Sequence, residues 1–314
     1  RHMRNAYKIG ALALAGSLAL AACGGSSGGG SSSGGGGKTL VISTDLPLQG
    51  AAKDASDATN QAIEMYLSQI GNKVGDYTIE LKKYDDSTAA AGQWDQAQCT
   101  KNAQDHVANT DEVAVMGTYN SGCAKIIVPV LNQDPNGPML MVSQANTNPG
   151  LTKAWDPGEP DKYYPSGKRN YARVVTTDDN QGRAAAQFMA KDLGVKKCYI
   201  LNDNETYGQG VASAFEKEAK VQNIEVLGND PWDAKQPNYT ALFEKIKGLG
   251  ADCLYIGGIF DNNGGQLIKD KVAVLGPNDG AVKLLTPDGF ATQQTIDDAG
   301  SASAGMFMSV AGQP

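Results

Sequence analysis

The stretch Val113-Ala114-Val115-Met116-Gly117, followed by Ser121 to Leu131 and then Met139-Leu140-Met141-Val142-Ser143, decides the fold. A short apolar run, a helical run and a second short apolar run make one strand–helix–strand unit. The first strand reads as buried, and repeated units of this kind imply parallel sheets covered by helices on both faces.

The pattern extends in both directions. Upstream, Thr39-Leu40-Val41-Ile42-Ser43 is a short β-rich run ending at Pro47 and Gly50. Ala58, Ala62, Ile63, Tyr66, Leu67 and Ile70 then recur at helical spacing and stop at Gly71. Tyr77 to Tyr84 alternates with period two, and a helix is expected from Ala89 to His106. Downstream, residues 144–170 are rich in Pro, Gly, Asn and Asp and read as a long connection, which is functional or marks a boundary.

After a strand over Tyr171–Val175 the alternation restarts. A helix carrying Ala184, Ala185, Phe188 and Met189 is capped by Asp178, Asp179 or Asn180. Strands follow at Cys198–Leu201, Ile224–Leu227, Cys253–Ile256 and Val282–Leu285, with helices near 209–220, 238–248 and 264–275. Two such runs predict an α/β chain of two doubly wound parallel-sheet lobes. Ligands of such sheets bind beyond the carboxyl ends of the strands. That rule points to the loops at 44–57, 117–123, 143–150, 202–209, 257–263 and 286–291. Fold alone does not separate a binding protein from an enzyme.

Composition narrows the classes. The chain has 314 residues, about two domains' worth. Its net charge is −7 and its isoelectric point near 4.9, which argues against a nucleic-acid partner, because phosphate backbones are gripped by clustered Lys and Arg. Only two histidines are present, His2 and His106. A His-rich metal site is excluded, and a Ser-His catalytic pair would have to use His106. No Ser-His-acid set, metal cluster or phosphate-binding fingerprint is legible, so neither an enzyme, a cofactor nor a metal is expected. Gly208-Gln209-Gly210-Val211-Ala212-Ser213 approaches a dinucleotide fingerprint but reads better as a helix start. Gly30-Ser31-Ser32-Ser33-Gly34 matches a nucleophile elbow only formally, because it lies in low-complexity sequence.

The N-terminus reads as an address. Met3-Arg4-Asn5-Ala6-Tyr7-Lys8 is positively charged and is followed by an apolar or small run from Ile9 to Ala22. At about 14 residues the run is short of the roughly 20 that span a bilayer, and it fits a secretory signal peptide. Leu20-Ala21-Ala22-Cys23 resembles a bacterial lipobox, so residues 1–23 are expected to be a lipoprotein signal with Cys23 as the acylated residue. Residues 24–37 are only Gly and Ser, a flexible tether with a reach of about 20 Å. Apart from Cys23, the even set Cys99, Cys123, Cys198 and Cys253 suggests disulfides in an exported chain. Four cysteines allow three pairings, and sequence alone does not choose.

Several segments together carry a resemblance. They are Lys83-Tyr84-Asp85-Asp86-Ser87, Gly117-Thr118-Tyr119-Asn120-Ser121-Gly122-Cys123, Ala145-Asn146-Thr147-Asn148-Pro149-Gly150-Leu151-Thr152 and Asp179-Asn180-Gln181-Gly182. The second half adds Asn202-Asp203-Asn204-Glu205-Thr206-Tyr207-Gly208, Tyr255-Ile256-Gly257-Gly258 and Pro287-Asp288-Gly289. In order and spacing they resemble the branched-chain amino-acid-binding proteins of ABC importers, which have the type I periplasmic-binding fold. The resemblance covers Lys38 to Gln313. It implies a first lobe over 38–176, a second over 177–306, and a return crossover beginning at 307–314. It also implies a C-terminal segment completing the first lobe, so the chain is expected to be C-terminally truncated.

The resemblance also implies a ligand set. In that family one lobe holds the ligand's α-carboxylate through two hydroxyls and nearby backbone N–H groups, which map to Ser121, Thr147 and the segment Ala145-Asn146. The other lobe supplies an acid for the ammonium group and an aromatic wall, which map to Asp288 and Tyr207. Ser121 opens a helix, whose free N–H groups and positive dipole end suit an anion. Asp288 stands where Glu is common, the first-loop aromatic maps to Ala55, and the second-lobe aromatic maps to Ile259 or Phe260. A preference for Leu, Ile or Val is therefore weakly supported. In this fold the strands opened by Cys198 and Cys253 are neighbours, and Cys99 and Cys123 flank the third strand, so the expected pairs are Cys99–Cys123 and Cys198–Cys253.

The leading expectation is a non-enzymatic, extracytoplasmic solute-binding lipoprotein. Its partners would be a small polar ligand, most often an amino acid, the permease subunits of an ABC importer, and a membrane reached through the lipid anchor alone. The alternatives are a ligand-sensing receptor module and a binder of an amide or carboxylate.

Overall fold

The computed structural model describes residues 38–312; the expected signal segment, Cys23 and the Gly/Ser tract lie outside the described residues. The chain runs β1 (Thr39–Leu46), α1 (Lys53–Gln69), β2 (Lys73–Val74), β3 (Tyr77–Asp85), β4 (Ser87–Thr88), β5 (Gln93–Trp94), α2 (Gln96–Ala108), β6 (Glu112–Gly117), α3 (Ser121–Leu131), β7 (Leu140–Ser143) and β8 (Tyr171–Arg173). It continues α4 (Asp178–Lys191), β9 (Lys197–Asn202), α5 (Thr206–Val221), β10 (Glu225–Pro231), α6 (Thr240–Gly248), β11 (Cys253–Gly257), α7 (Gly264–Leu275), β12 (Lys283–Thr286), α8 (Gln293–Ala299) and β13 (Phe307–Met308).

Two separate sheets result. The first has the order β2-β3-β1-β6-β7-β8, parallel except for the short antiparallel β2, and the second has the order β10-β9-β11-β12-β13, parallel throughout. In the second sheet the two-residue period divides a continuous apolar strand between two cores. Tyr199 and Leu201 face Phe243, Ile246, Leu267 and Ile268, whereas Cys198 and Ile200 face Met189, Val211 and Phe215.

The first sheet buries one face under α2 and α3 through Cys99, Val115, Cys123, Ile127, Leu131 and Met141. Its other face retains an apolar groove of about 380 Å³ beside α1, between Ile42, Ile63, Tyr66 and Met116. Disulfides join Cys99 to Cys123 and Cys198 to Cys253. The second pair stands directly opposite in the β9–β11 register.

Three segments differ from the sequence reading. The helix expected from Ala89 begins only at Gln96, because Ser87–Thr88 and Gln93–Trp94 pair as a hairpin. Gly92 adopts φ +67°, its N–H reaches Thr88 O, and Asp95 caps α2 by accepting from the Gln98 N–H at 2.9 Å. The strand at Tyr171 ends at Arg173, before Val175. Phe307–Met308, where the return crossover was expected, pairs with β12 as the edge of the second sheet. The chain then meets the first crossover, where the Thr176 N–H donates to Ala311 O at 3.0 Å. Two segments thus run side by side between the sheets.

One buried network braces the first sheet. His106 on α2 contacts Asp45 Oδ2 at 3.0 Å through Nε2 and Glu112 Oε1 at 2.5 Å through Nδ1, and all three are buried. Ser43 donates to Glu112, and Asn102 Nδ2 donates to Asp45 Oδ1 at 2.9 Å. The network ties α2 to β1 and to β6, the strand whose carboxyl end runs into the loop at 117–121. That loop passes so close to β1 that a Cβ on Gly117, at φ +149°, would stand 2.4 Å from Asp45 O.

Candidate binding cleft

A cavity of about 150 Å³ lies between the sheets, at the carboxyl ends of their strands. Tyr119, Asn120, Ser121, Gln144 and Ala145 wall it on one side; Tyr207, Ile259, Asp288 and Gly289 wall it on the other. Each of these residues belongs to a loop or helix start that follows a strand, so the cleft is the place where the two parallel sheets point their open ends at each other.

The first wall suits an anion. Ser121 is the first residue of α3, and no side chain caps that helix. Its leading N–H groups and positive dipole end are therefore left for a ligand. The Ser121 hydroxyl accepts a long 3.4 Å bond from the Asn148 N–H and remains at the cavity wall. Two further groups, Asn120 Oδ1 and Gln144 Nε2, are buried without a protein partner. Both residues line the cavity, and such groups ask for a ligand atom or water.

Asn146 and Thr147 do not line the cavity. The Asn146 amide donates to Thr118 O at 2.8 Å and Tyr119 O at 3.1 Å, and it accepts from the Tyr171 hydroxyl at 3.1 Å. It is spent on shaping the loop that holds Tyr119 to Ser121. Thr147 is fully buried behind the wall, next to the Asp178 carboxyl, and its hydroxyl has no geometrically sound partner. Ser121, Ala145, Tyr207 and Asp288 are the expected residues that do meet at the cavity.

The second wall suits a cation. Asp288 Oδ1 accepts from the Tyr207 hydroxyl and from Gln181 Nε2, both at 2.6 Å. The Gln181 carbonyl in turn accepts from the Asp288 N–H at 3.0 Å and from the Ser309 hydroxyl at 2.8 Å. Gln181 thus clamps Asp288 by both ends of its amide and fixes which oxygen is spent. Oδ2 has no protein partner among the described residues. Burial pushes the Asp288 carboxyl above its ordinary value, against the lowering effect of the Tyr207 and Gln181 bonds.

Behind Asp288 stands Asp178, fully buried with neither oxygen bonded. Burial first, and then the charge of Asp288, push its carboxyl well above the usual range. The charge of Arg173 works against that rise, but its Nη groups are bonded to Asn146 O, Asn148 O and Thr152 Oγ1, and its Nε has no partner. Neither Asp178 nor Asp288 has an ion-pair partner among the described residues, a state that favours a positive ligand group.

Of the two candidates for the second-lobe side-chain contact, Ile259 faces the cavity. Phe260 instead packs edge-to-face on Phe290, with ring centroids 6.5 Å apart. The glycines at 208 and 210 lie inside α5 and serve packing: a Cβ at Gly208 would stand 2.6 Å from Gly257 O, and one at Gly210 2.9 Å from Asn148 Nδ2.

A Ser-His-acid set not legible in the sequence does form, as Ser43, His106 and Asp45. It is fully buried, and carboxylates occupy both imidazole nitrogens. Ser43 and His106 are thereby closed to any substrate. Asp86 approaches the sulfurs of Cys99 and Cys123, but these are joined to each other and offer no thiolate.

Two parallel-sheet lobes facing across a polar cleft define a ligand-binding class of protein. The family model for periplasmic binding proteins matches residues 42–314, and the chain belongs to that family. It is 25% identical over 272 residues to a leucine-, isoleucine-, valine-, threonine- and alanine-binding protein of Pseudomonas aeruginosa, covering 86% of this chain and 65% of that one. The crystal structure of a leucine-binding protein from Thermotoga maritima shares the fold with a TM-score of 0.71 at 21% identity, covering 86% of this chain and 69% of that one. A solute-binding protein of an ABC transporter from R. palustris, in complex with 4-hydroxybenzoate, gives a TM-score of 0.72 at 19% identity, covering 86% and 67%. The chain spans between 37% and 65% of the length of the curated relatives it matches.

Proposed function

We propose that this chain is the non-enzymatic, extracytoplasmic solute-binding component of an ABC-type importer, and that its cleft holds an α-amino acid. One observation carries the reading. An uncapped helix start with Ser121 and an acid clamped by Gln181 and Tyr207 face each other across about 150 Å³. The α-carboxylate goes to the α3 N-terminus and the ammonium to Asp288, as an anion and a cation must in this field. The lobes are taken as 38–176 and 177–308, the second extended past 306 by the edge strand Phe307–Met308, and closure turns on the paired segments at Thr176 and Ala311. The closed form is what the membrane permease receives.

The 4-hydroxybenzoate bound by the R. palustris relative favours a second reading, an aromatic carboxylate. Such a ligand would satisfy the α3 N-terminus but leave Asp178 and Asp288 without a cation. A thermal-shift panel of amino acids, amides and benzoates separates the two. At one hundred times its Kd a ligand stabilises by about 2.7 kcal/mol, a rise in Tm of about 5 °C for a chain of this size. The account expects that rise from an amino acid and none from benzoates; the reverse result replaces it with the second reading.

Leu20-Ala21-Ala22-Cys23 and the Gly/Ser tract after it support a lipid anchor on Cys23. Among the described residues no helix is long and apolar enough to cross a membrane. Cys23→Ser is expected to move the protein from the membrane to the soluble fraction. A mutant that stays membrane-bound, with no acyl mass on the wild type, removes the anchor from the account.

A further inference from the structure

We infer that the outer part of the cleft is a subsite for a cationic side chain, with Asp261 as the residue that selects it, so that the ligand is a basic amino acid. The inference rests on the amino-acid reading above and narrows it. A second void, about 540 Å³, lies between Ala51, Gly92 and Gln93 of one lobe and Phe260, Asp261 and Asn262 of the other. Ile259 walls the inner cavity, and the next two residues wall the outer void. A side chain leaving the inner site along this segment passes Ile259 and arrives at Asp261.

Asp261 is the group left over there. Its neighbour Asp203 is used up: it accepts from the Ile259 N–H at 3.0 Å, from Asn262 Nδ2 at 3.1 Å and from the Glu205 N–H at 3.0 Å. The Asp261 carboxylate has no hydrogen bond or ion pair to another side chain among the described residues. Phe260 is turned into the core against Phe290, and the other polar side chains this segment gives the void are bonded elsewhere, Asn262 to Asp203, Asn263 to Gln236 O and the Tyr239 hydroxyl, and Gln266 to Asp270; a second carboxylate, Asp298, also lines the void but is exposed. Burial, with the charge of Asp203, holds its carboxyl up to about 6. Lys235 and Lys269 stand on the rim of the void, exposed, and neither comes within ion-pair distance.

The charge of Asp261 is felt at the inner cavity together with that of Asp288. Tyr119 lines the inner cavity, and after burial the two causes that hold its phenol protonated are the charges of Asp261 and Asp288. Both carboxylates therefore act on one side chain of the cavity wall. The charge balance then decides the ligand class. The ammonium of a neutral amino acid answers Asp288, and its carboxylate is answered by α3. Asp261 would be covered by an aliphatic side chain and left unpaired, which is costly. A second cation removes that cost, and the methylenes before it can lie along Ile259.

Calorimetry with L-lysine and L-norleucine tests this, because the pair differs essentially by the terminal ammonium. The wild type is expected to bind lysine at least about tenfold tighter, the scale of one charge-assisted hydrogen bond in a desolvated site. Asp261→Asn is expected to abolish that margin while leaving norleucine within about twofold, which also shows that the variant is folded. Equal or tighter binding of norleucine by the wild type overturns the inference but leaves the amino-acid reading standing. So does an Asp261→Asn variant that weakens both ligands alike. If neither amino acid binds, both readings fall together.

Discussion

His106→Gln is expected to destabilise the protein by about 3–5 kcal/mol, the scale for removing one partner of a buried ionic set. Total stabilities are about 5–15 kcal/mol, so this is a large fraction. The wild-type imidazole lies between two buried carboxylates, Asp45 and Glu112. Glutamine keeps similar bulk but has no charge to offer them. Burial alone would push the imidazole down, but the bonds to Asp45 and Glu112 outweigh it and hold His106 above its ordinary value of 6.5. A folded-state value raised in this way stabilises fully below about 6.5 and loses its contribution as pH rises through the folded value. Urea denaturation of both proteins across pH 5.5–9 checks this: the wild-type advantage should shrink as pH rises. A cost below about 1 kcal/mol, or one that grows with pH, contradicts it. The consequence reaches the site, because the same network holds the strands whose ends carry the 117–121 loop.

Asp288→Asn is expected to weaken the amino-acid ligand by about ten- to a hundredfold, since a hydrogen bond to a charged group contributes roughly 1.5–3 kcal/mol. The fold should hardly notice. Asparagine is isosteric, its Oδ1 can still accept from Tyr207 and Gln181, and Oδ2 has no protein partner to lose. The variant's Tm without ligand should therefore stay close to that of the wild type, while its ligand-induced shift falls. A loss of Tm without ligand, with affinity unchanged, would make Asp288 a turn residue of the β12 end and nothing more.

The strands Val113–Gly117 and Cys198–Leu201 were readable because their whole run is apolar and the flanking helices carry a 3.6-residue period, although only the second is buried on both faces and Val113 is exposed. The hairpin at Ser87–Trp94 was not. Its alanines favour helix locally, and only Gly92 and the Asp95 cap decide otherwise. β13 is two residues long and owes its existence to β12, so no local pattern marks it.

In the cleft, Ser121, Ala145, Tyr207 and Asp288 could be named from the loops after strands together with a resemblance. Gln181 could not be given a role, although it stands in a recognisable segment, because its partner Asp288 is 107 residues away. Asp178 shows in sequence only as a possible helix cap; its burial beside Asp288 is a tertiary fact. The Ser43–His106–Asp45–Glu112 set likewise joins β1, α2 and β6, which no spacing rule connects.

The central claim is that one ligand offers a carboxylate to α3 and an ammonium to Asp288 across the cleft. Calorimetry on wild type and Asp288→Asn tests it most directly, using the amino acid that gives the largest thermal shift and its des-amino analogue. The wild type should bind the amino acid about ten- to a hundredfold tighter than the analogue, and Asp288→Asn should erase that difference by weakening the amino acid alone. A wild type that binds the des-amino analogue as tightly as the amino acid would contradict the claim.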